Sequence, residues 1–343
     1  MEKLIIASTS PSAGKTSMII GLAAALKKRC GYMKPFGDRL IYHKKRLWDY
    51  DAALTTATLD LEEQPEDMSI GLEHTKLGTM SDEDVGGKLK TSVEKMSRNK
   101  DVLFIEGGKT LSYGASVHLD VMSLARHLGA PIVLVMTAGH DAVDEAAFLL
   151  ENLNTADVEL RGAIINKAHD PEDFRNTHGQ KLDKLGLPLL GVVPFHEDLN
   201  CSSVAFLADR LFAKVIAGES GLDKVVRNIF VGAMSANAAL RSPKFNKGDK
   251  LIITAGDRVD MILAALESET AGIILTNNIL PPPNIISKAT DRGTPVLLVA
   301  ADTYQIAQQI DNMEPLLTRR DENKMALLGS FAGKHLDLAR LGG

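Results

Sequence analysis

Short apolar runs alternate along the chain with stretches whose apolar residues recur at helical spacing, a rhythm that predicts parallel α/β sheets. In the first two thirds the predicted strands are residues 4–7, 32–36, 102–105, 132–136, 162–166 and 190–193. Most are near-continuous apolar runs, as strands covered on both faces require. Residues 16–28 place Met18, Ile19, Leu22 and Leu26 at helical spacing, and residues 143–153 do the same with Ala146, Ala147, Leu149 and Leu150. A further helix is predicted over 204–217, ended by Gly218, with Glu219-Ser220-Gly221 as a short linker. Beyond it the rhythm resumes on a smaller scale. Strands are predicted over 229–231, 251–254, 271–276 and 295–299, with helices over 258–266 and 304–310 between them. The expected organisation is an α/β domain over 1–218, a smaller α/β domain over 222–332, and a tail over 333–343.

Composition changes this picture little. A length of 343 residues suits two domains, and 45% hydrophobic with 24% charged residues is ordinary for a soluble protein. Lys and Arg number 39 against 44 Asp and Glu, a net charge of −5. That balance predicts neither nucleic acid nor a membrane surface as partner. No apolar run approaches the ~20 residues of a bilayer span, and no secretory signal fits the first residues. A cytoplasmic location is expected. Cys30 and Cys201 have no spacing for a zinc site or a disulfide framework.

The strongest chemical signal is Thr9-Ser10-Pro11-Ser12-Ala13-Gly14-Lys15-Thr16, directly after a predicted strand and before a predicted helix. A loop in that place can converge backbone N–H groups on phosphate oxygens at a helix N-terminus. Lys15 would reach the terminal phosphates of a nucleotide, and the Thr16 hydroxyl would bind Mg²⁺. Thr9 stands where the general pattern has its first glycine. The alternative is an ordinary strand-to-helix turn with a solvated lysine. A second element supports the first: Glu106 ends the run 102–105 and precedes Gly107-Gly108. A carboxylate at the carboxyl end of a buried strand lies where such sheets bind ligands, and an acid there holds Mg²⁺ directly or through water.

Gly14-Lys15-Thr16, Lys34-Pro35, Asp51-Ala52, Glu106-Gly107-Gly108 and Asn166 occur in the order seen in dethiobiotin synthetase and cobyrinic acid a,c-diamide synthase, which this region resembles. It is still more similar to the synthetase-like front region of the long bacterial phosphotransacetylases. There a segment like Glu106 to Gly114 follows the sheet acid, and one like Leu190-Gly191-Val192-Val193-Pro194 comes late. Residues after 218 resemble the DRTGG domain that follows in those proteins. Gly256-Asp257-Arg258, Ile274-Leu275-Thr276, Pro295-Val296-Leu297 and Asp302-Thr303 carry that likeness, with Asn277-Asn278 in place of a glycine pair.

The resemblance implies a P-loop NTPase-type parallel sheet flanked by helices, followed by a smaller α/β DRTGG domain. It implies ATP and Mg²⁺ as cofactors, with Ser12, Ala13, Gly14, Lys15, Thr16 and Ser17 around the phosphates and Asn166 and Pro194 at the adenine. Thr16, Asp51 and Glu106 would hold the metal, with Asp49 a competitor for the place of Asp51. Lys15 and Lys34 would be the catalytic cations, Lys34 facing the γ-phosphate or its acceptor. Where synthetases have a loop glycine this chain has Ser8, and Asp38 stands where a small polar residue meets their substrate.

Three functions follow from this set. A Mg²⁺-ATP-binding regulatory or sensory ATPase, its second domain taking a small anionic metabolite, comes first. An ATP-dependent carboxylate-activating ligase is second, and a non-enzymatic module controlling an acetate-pathway enzyme third. A phosphotransacetylase activity by itself is not expected, and a homodimer or higher homo-oligomer is. Asp257 and Arg258, opening a helix after a strand, are a candidate anion site or an internal ion pair. Tyr113 and Asp120 would meet a substrate or partner, or simply pack. His118 and His127 are expected to pack or face solvent, and His196 has a small claim on the base.

Overall fold

The structure, a computed structural model, describes residues 1–43 and 45–342. The chain divides into two units: Met1–His196 together with Asp321–Gly343, and Glu197–Arg320.

The first unit runs β1 (Glu2–Ser8), α1 (Lys15–Leu26), β2 (Cys30–Met33), the hairpin β3 (Leu40–His43) and β4 (Arg46–Asp49), α2 (Tyr50–Thr58), α3 (His74–Leu77) and α4 (Asp82–Met96). It continues with β5 (Val102–Glu106), α5 (Val121–Leu128), β6 (Ile132–Thr137), α6 (Ala142–Asn152), β7 (Leu160–Ala168), α7 (Pro171–Lys184) and β8 (Leu189–Pro194). Six strands form one sheet in the order β2-β5-β1-β6-β7-β8, and every pairing in it is parallel. Leu4, Ile5, Ile6 and Ala7 of the central strand are wholly buried, which explains why β1 reads as an unbroken apolar run. Every predicted strand of this unit is present, within two or three residues at each end.

The second unit contains β9 (Ser202–Ser203), α8 (Val204–Arg210), β10 (Lys214–Ala217), β11 (Val225–Val226), β12 (Asn228–Val231) and α9 (Ala236–Ala239). Then come β13 (Lys250–Ala255), α10 (Val259–Leu266), β14 (Thr270–Thr276), α11 (Pro283–Asp291), β15 (Val296–Leu298) and α12 (Thr303–Asp311). Its main sheet has the order β10-β15-β14-β13-β12, parallel except for β10. One face buries Ile252, Ile273 and Leu275 with Met261 and Ile285; the other buries Leu251, Ile253 and Ile274 with Phe206 and Ile306.

Two expectations are corrected here. The helix predicted over 204–217 stops at Arg210; Phe212 takes a left-handed φ of 50°, and residues 214–217 pair antiparallel with β15. Val215 and Ile216 are β-branched, and strand pairing outweighs their weak helical spacing. Residues 197–218 thereby pack with the second unit, not the first. Nor is 333–343 a tail. α13 (Glu322–His335) belongs to the first unit and lies against α1. A Cβ on Gly21 would come 2.8 Å from the Leu328 carbonyl oxygen, so glycine is what lets these helices approach. Leu336 then bridges Gly191 of β8, and Leu341 is fully buried.

Candidate nucleotide site

The turn between β1 and α1 is braced from outside by β7. Asn166 Nδ2 donates to the Ala13 carbonyl at 2.8 Å, and Lys167 Nζ donates to the Ser12 carbonyl at 3.0 Å. Gly14 takes φ 103°, and a Cβ on it would collide with Asn166 Nδ2 at 2.3 Å. Side chain and glycine therefore fix one another. The first intrahelical N–H of α1 is that of Met18, on the Gly14 carbonyl at 2.9 Å. The N–H groups of Lys15, Thr16 and Ser17 form the helix's open first turn, where an anion is stabilised.

Below this turn lies a buried charge cluster. Lys15 Nζ donates to Ser8 Oγ at 2.9 Å, and burial holds its pKa below the usual lysine value despite the neighbouring Glu106. Thr16 Oγ1 donates to Glu106 Oε1 at 3.0 Å, while Tyr32 donates its hydroxyl to Glu106 Oε2 at 2.9 Å. Glu106 is completely buried, and that burial, with the charge of Asp51, pushes its carboxyl up to about 7.

Lys34 sits among three carboxylates: Asp38 and Asp51 at 2.6 Å and Asp49 at 3.3 Å. Burial alone would lower its pKa, but Asp51, Asp49, Glu106 and Asp38 together hold it well above normal. Asp51 is also gripped by Arg39, at 3.2 Å on Oδ1 and 3.1 Å on Oδ2. Lys34 and Arg39 outweigh its burial and hold its carboxyl below the usual range. Asp49 caps α2 through Ala52 N and accepts from the backbone N–H groups of Asp38 and Arg39. It ties the segment after β2 to the helix that follows the hairpin.

The donor set can be tested against the implied metal. Thr16 and Glu106 offer a hydroxyl and a carboxylate that already touch, a pairing of hard oxygens that suits Mg²⁺. Asp51, whose charge acts on Glu106, has both its oxygens engaged by Lys34 and Arg39. The oxygens of Asp38, Asp49 and Asp51 lie within 4.8 Å of one another, but Lys34 already supplies the cation among them.

Asn166 ends up bracing the loop through Nδ2, with Oδ1 accepting from Lys167 N. Pro194, half-buried, pairs with Ala168 at the same edge of the sheet. His118 and His127 lie 3.3 and 2.9 Å from Asp82, at the start of α4. Tyr113 stacks on Phe36 with ring centroids 5.1 Å apart, and Asp120 caps α5. The ring of His196 lies 5.9 Å from that of Phe331 on α13. Arg258 pairs with Asp260, not Asp257, and donates to the Met234 carbonyl at 2.8 Å.

Sequence reasoning placed Tyr32 in a strand without giving it a role. The signal was its position two residues before Lys34, on the same face of an extended chain. Lys167 and Arg39 carry no motif that would single them out.

The AAA domain family AAA_26 matches residues 2–203, well over half the chain, and the DRTGG domain matches residues 206–313. The chain belongs to that AAA domain family. The AAA domain is followed by the DRTGG domain, as the resemblance to long phosphotransacetylases implied. Phosphate acetyltransferase of Pseudomonas aeruginosa is 25% identical over 98% of this chain and 51% of its own length. That of Synechocystis sp. is 27% identical over 94% of this chain and 49% of its own. The chain thus spans about half the length of the curated relatives it matches. Among solved structures, the Pyrococcus horikoshii septum site-determining protein MinD complexed with Mg-ADP is 17% identical, with a TM-score of 0.37, over 58% of this chain and 83% of its own. No helix among the described residues is long and apolar enough to cross a membrane.

Proposed function

We propose that this AAA-domain chain is a cytoplasmic, homo-oligomeric regulatory protein that binds ATP and Mg²⁺ and hydrolyses ATP slowly. The observation that carries this reading is the 3.0 Å contact between Thr16 and Glu106, which pairs two hard oxygen donors at the open end of α1. Ser12, Ala13, Gly14, Thr16 and Ser17 hold phosphates through their backbone amides and Lys15 through its ammonium. Thr16 and Glu106 hold Mg²⁺, which neutralises phosphate charge when bound. Pro194 and the edge around Asn166 border the base. The DRTGG unit takes a small anionic metabolite.

Lys34 favours regulation over ligation. A carboxylate acceptor would meet three aspartates against Lys34 and Arg39, a corner of net negative charge. Two experiments test this. Calorimetry should give saturable Mg²⁺-ATP binding that weakens ~10–100-fold in Lys15→Ala, the loss of one charge-assisted contact. Equal binding by parent and variant ends the reading. ADP release should stay flat across a panel of small acids; a rise of orders of magnitude with any of them would establish the ligase reading instead.

A further inference from the structure

Glu106 is held at both oxygens, and only one of its partners lies in the phosphate loop. Thr16 meets Oε1 from α1, and Tyr32 meets Oε2 from the neighbouring strand. The contact with Tyr32 is built into the sheet. β2 pairs with β5 in parallel register, Tyr32 opposite Phe104 and Met33 opposite Ile105, so the phenol reaches along the strand to the carboxylate that ends β5. Tyr32 is itself 1% exposed, and a hydroxyl buried that deeply needs a partner. Glu106 also has somewhere else to go. Lys15 and Lys34 are both near enough to act on its charge. The terminal torsion of a glutamate is soft and roughly two-fold, so nothing in the side chain itself prevents it from turning to a lysine.

We propose that Tyr32 is a positioning residue for the metal-binding carboxylate: it pins Oε2 of Glu106 and keeps Oε1, the oxygen that meets Thr16, turned toward the metal of a bound nucleotide. This rests on the nucleotide reading above and adds to it a residue outside the loop, reached through the sheet. Outer partners that orient a metal ligand typically carry 10–100-fold in metal affinity. Removing the phenol oxygen frees the carboxylate to pair with a lysine and to leave Thr16 alone at the metal.

The test separates nucleotide affinity from metal affinity. ATP binding is measured on the full chain in EDTA, and then as Mg²⁺ is titrated into the ATP complex. Tyr32→Phe should bind ATP in EDTA within two-fold of the parent, with the Mg²⁺ midpoint raised ~10–100-fold. In a Glu106→Gln background the same substitution should change the Mg²⁺ midpoint no further. An unchanged midpoint in Tyr32→Phe, an equal loss in EDTA and in Mg²⁺, or a full additional loss in the Glu106→Gln background each overturns the proposal. Should Tyr32→Phe be too unstable to assay, Tyr32→Met is read by the same criteria. A parent that ignores ATP with and without Mg²⁺ overturns both readings. A parent that responds, beside a variant with an unmoved midpoint, overturns this one alone.

Discussion

Two strand-to-helix turns, one in each unit, differ in how their surroundings hold them. In the first unit β1 passes through residues 9–14 into α1; in the second, β13 passes through Gly256 and Asp257 into α10. Both follow a buried parallel strand and open a helix. The first turn has its carbonyls held from outside by Asn166 and Lys167, and its lysine, Lys15, donates to the Ser8 hydroxyl beneath it. The second is pressed against its own unit: a Cβ on Gly256 would lie 1.8 Å from the Ile279 carbonyl oxygen. Its cation, Arg258, donates to the carbonyls of Gly232 and Met234 and to Asp260. Sheet position offers a ligand site to both. What separates them is where the turn's carbonyls and its cation find partners.

Exchanging glycine for alanine in each turn should break the comparison most visibly. Gly256→Ala forces a methyl onto backbone, and we expect ~3 kcal/mol of lost stability in the second unit with ATP binding intact. Denaturant unfolding of the two units checks it. Gly14→Ala should do the reverse. It strains a φ of 103° and displaces Asn166, weakening ATP ~10–100-fold with a smaller stability loss.

Glu106→Gln sharpens the contrast through pH. Burial, then Asp51, pushes the Glu106 carboxyl up to about 7. The folded chain thus binds this proton more tightly than the unfolded one, whose glutamates titrate near ~4.3. That contribution to stability is fully present below the unfolded value and is lost as pH rises through about 7. Glu106→Gln should therefore melt higher than the parent at pH 8 but not at pH 4, while the Mg²⁺ midpoint of its ATP binding rises. A melting gain equal at both pH values contradicts this. The smallest effect is expected from Arg258→Ala. It should leave ATP binding unchanged and cost the second unit ~1 kcal/mol, since the guanidinium is about a third exposed.

The parallel strands of the two main sheets were legible because burial on two faces leaves an apolar run, as at Leu4–Ala7 of β1. The phosphate loop was legible because its residues are fixed by chemistry at fixed spacing. What escaped was whatever depends on distant segments. Val215 and Ile216 carry helix-compatible spacing, and only the presence of β15 makes them a strand. The hairpin of β3 and β4 is held by its own pairing and by Asp49, without a long apolar signature. The hold of Lys34 and Arg39 on both oxygens of Asp51 likewise left no mark in the sequence. Tyr32 was visible as a strand residue, but its role needs the neighbouring strand to exist.

The closeness of α13 to α1 has a consequence for synthesis. Gly21 leaves the ribosome roughly 300 residues before Leu328, the residue whose backbone it is shaped to meet. Until the whole DRTGG unit has been translated, one side of α1 has nothing to cover it, so the first unit cannot complete its folding in the order in which it is made. Nascent chains arrested before residue 321 should accordingly be digested by protease within the first unit, and released full-length chains should resist.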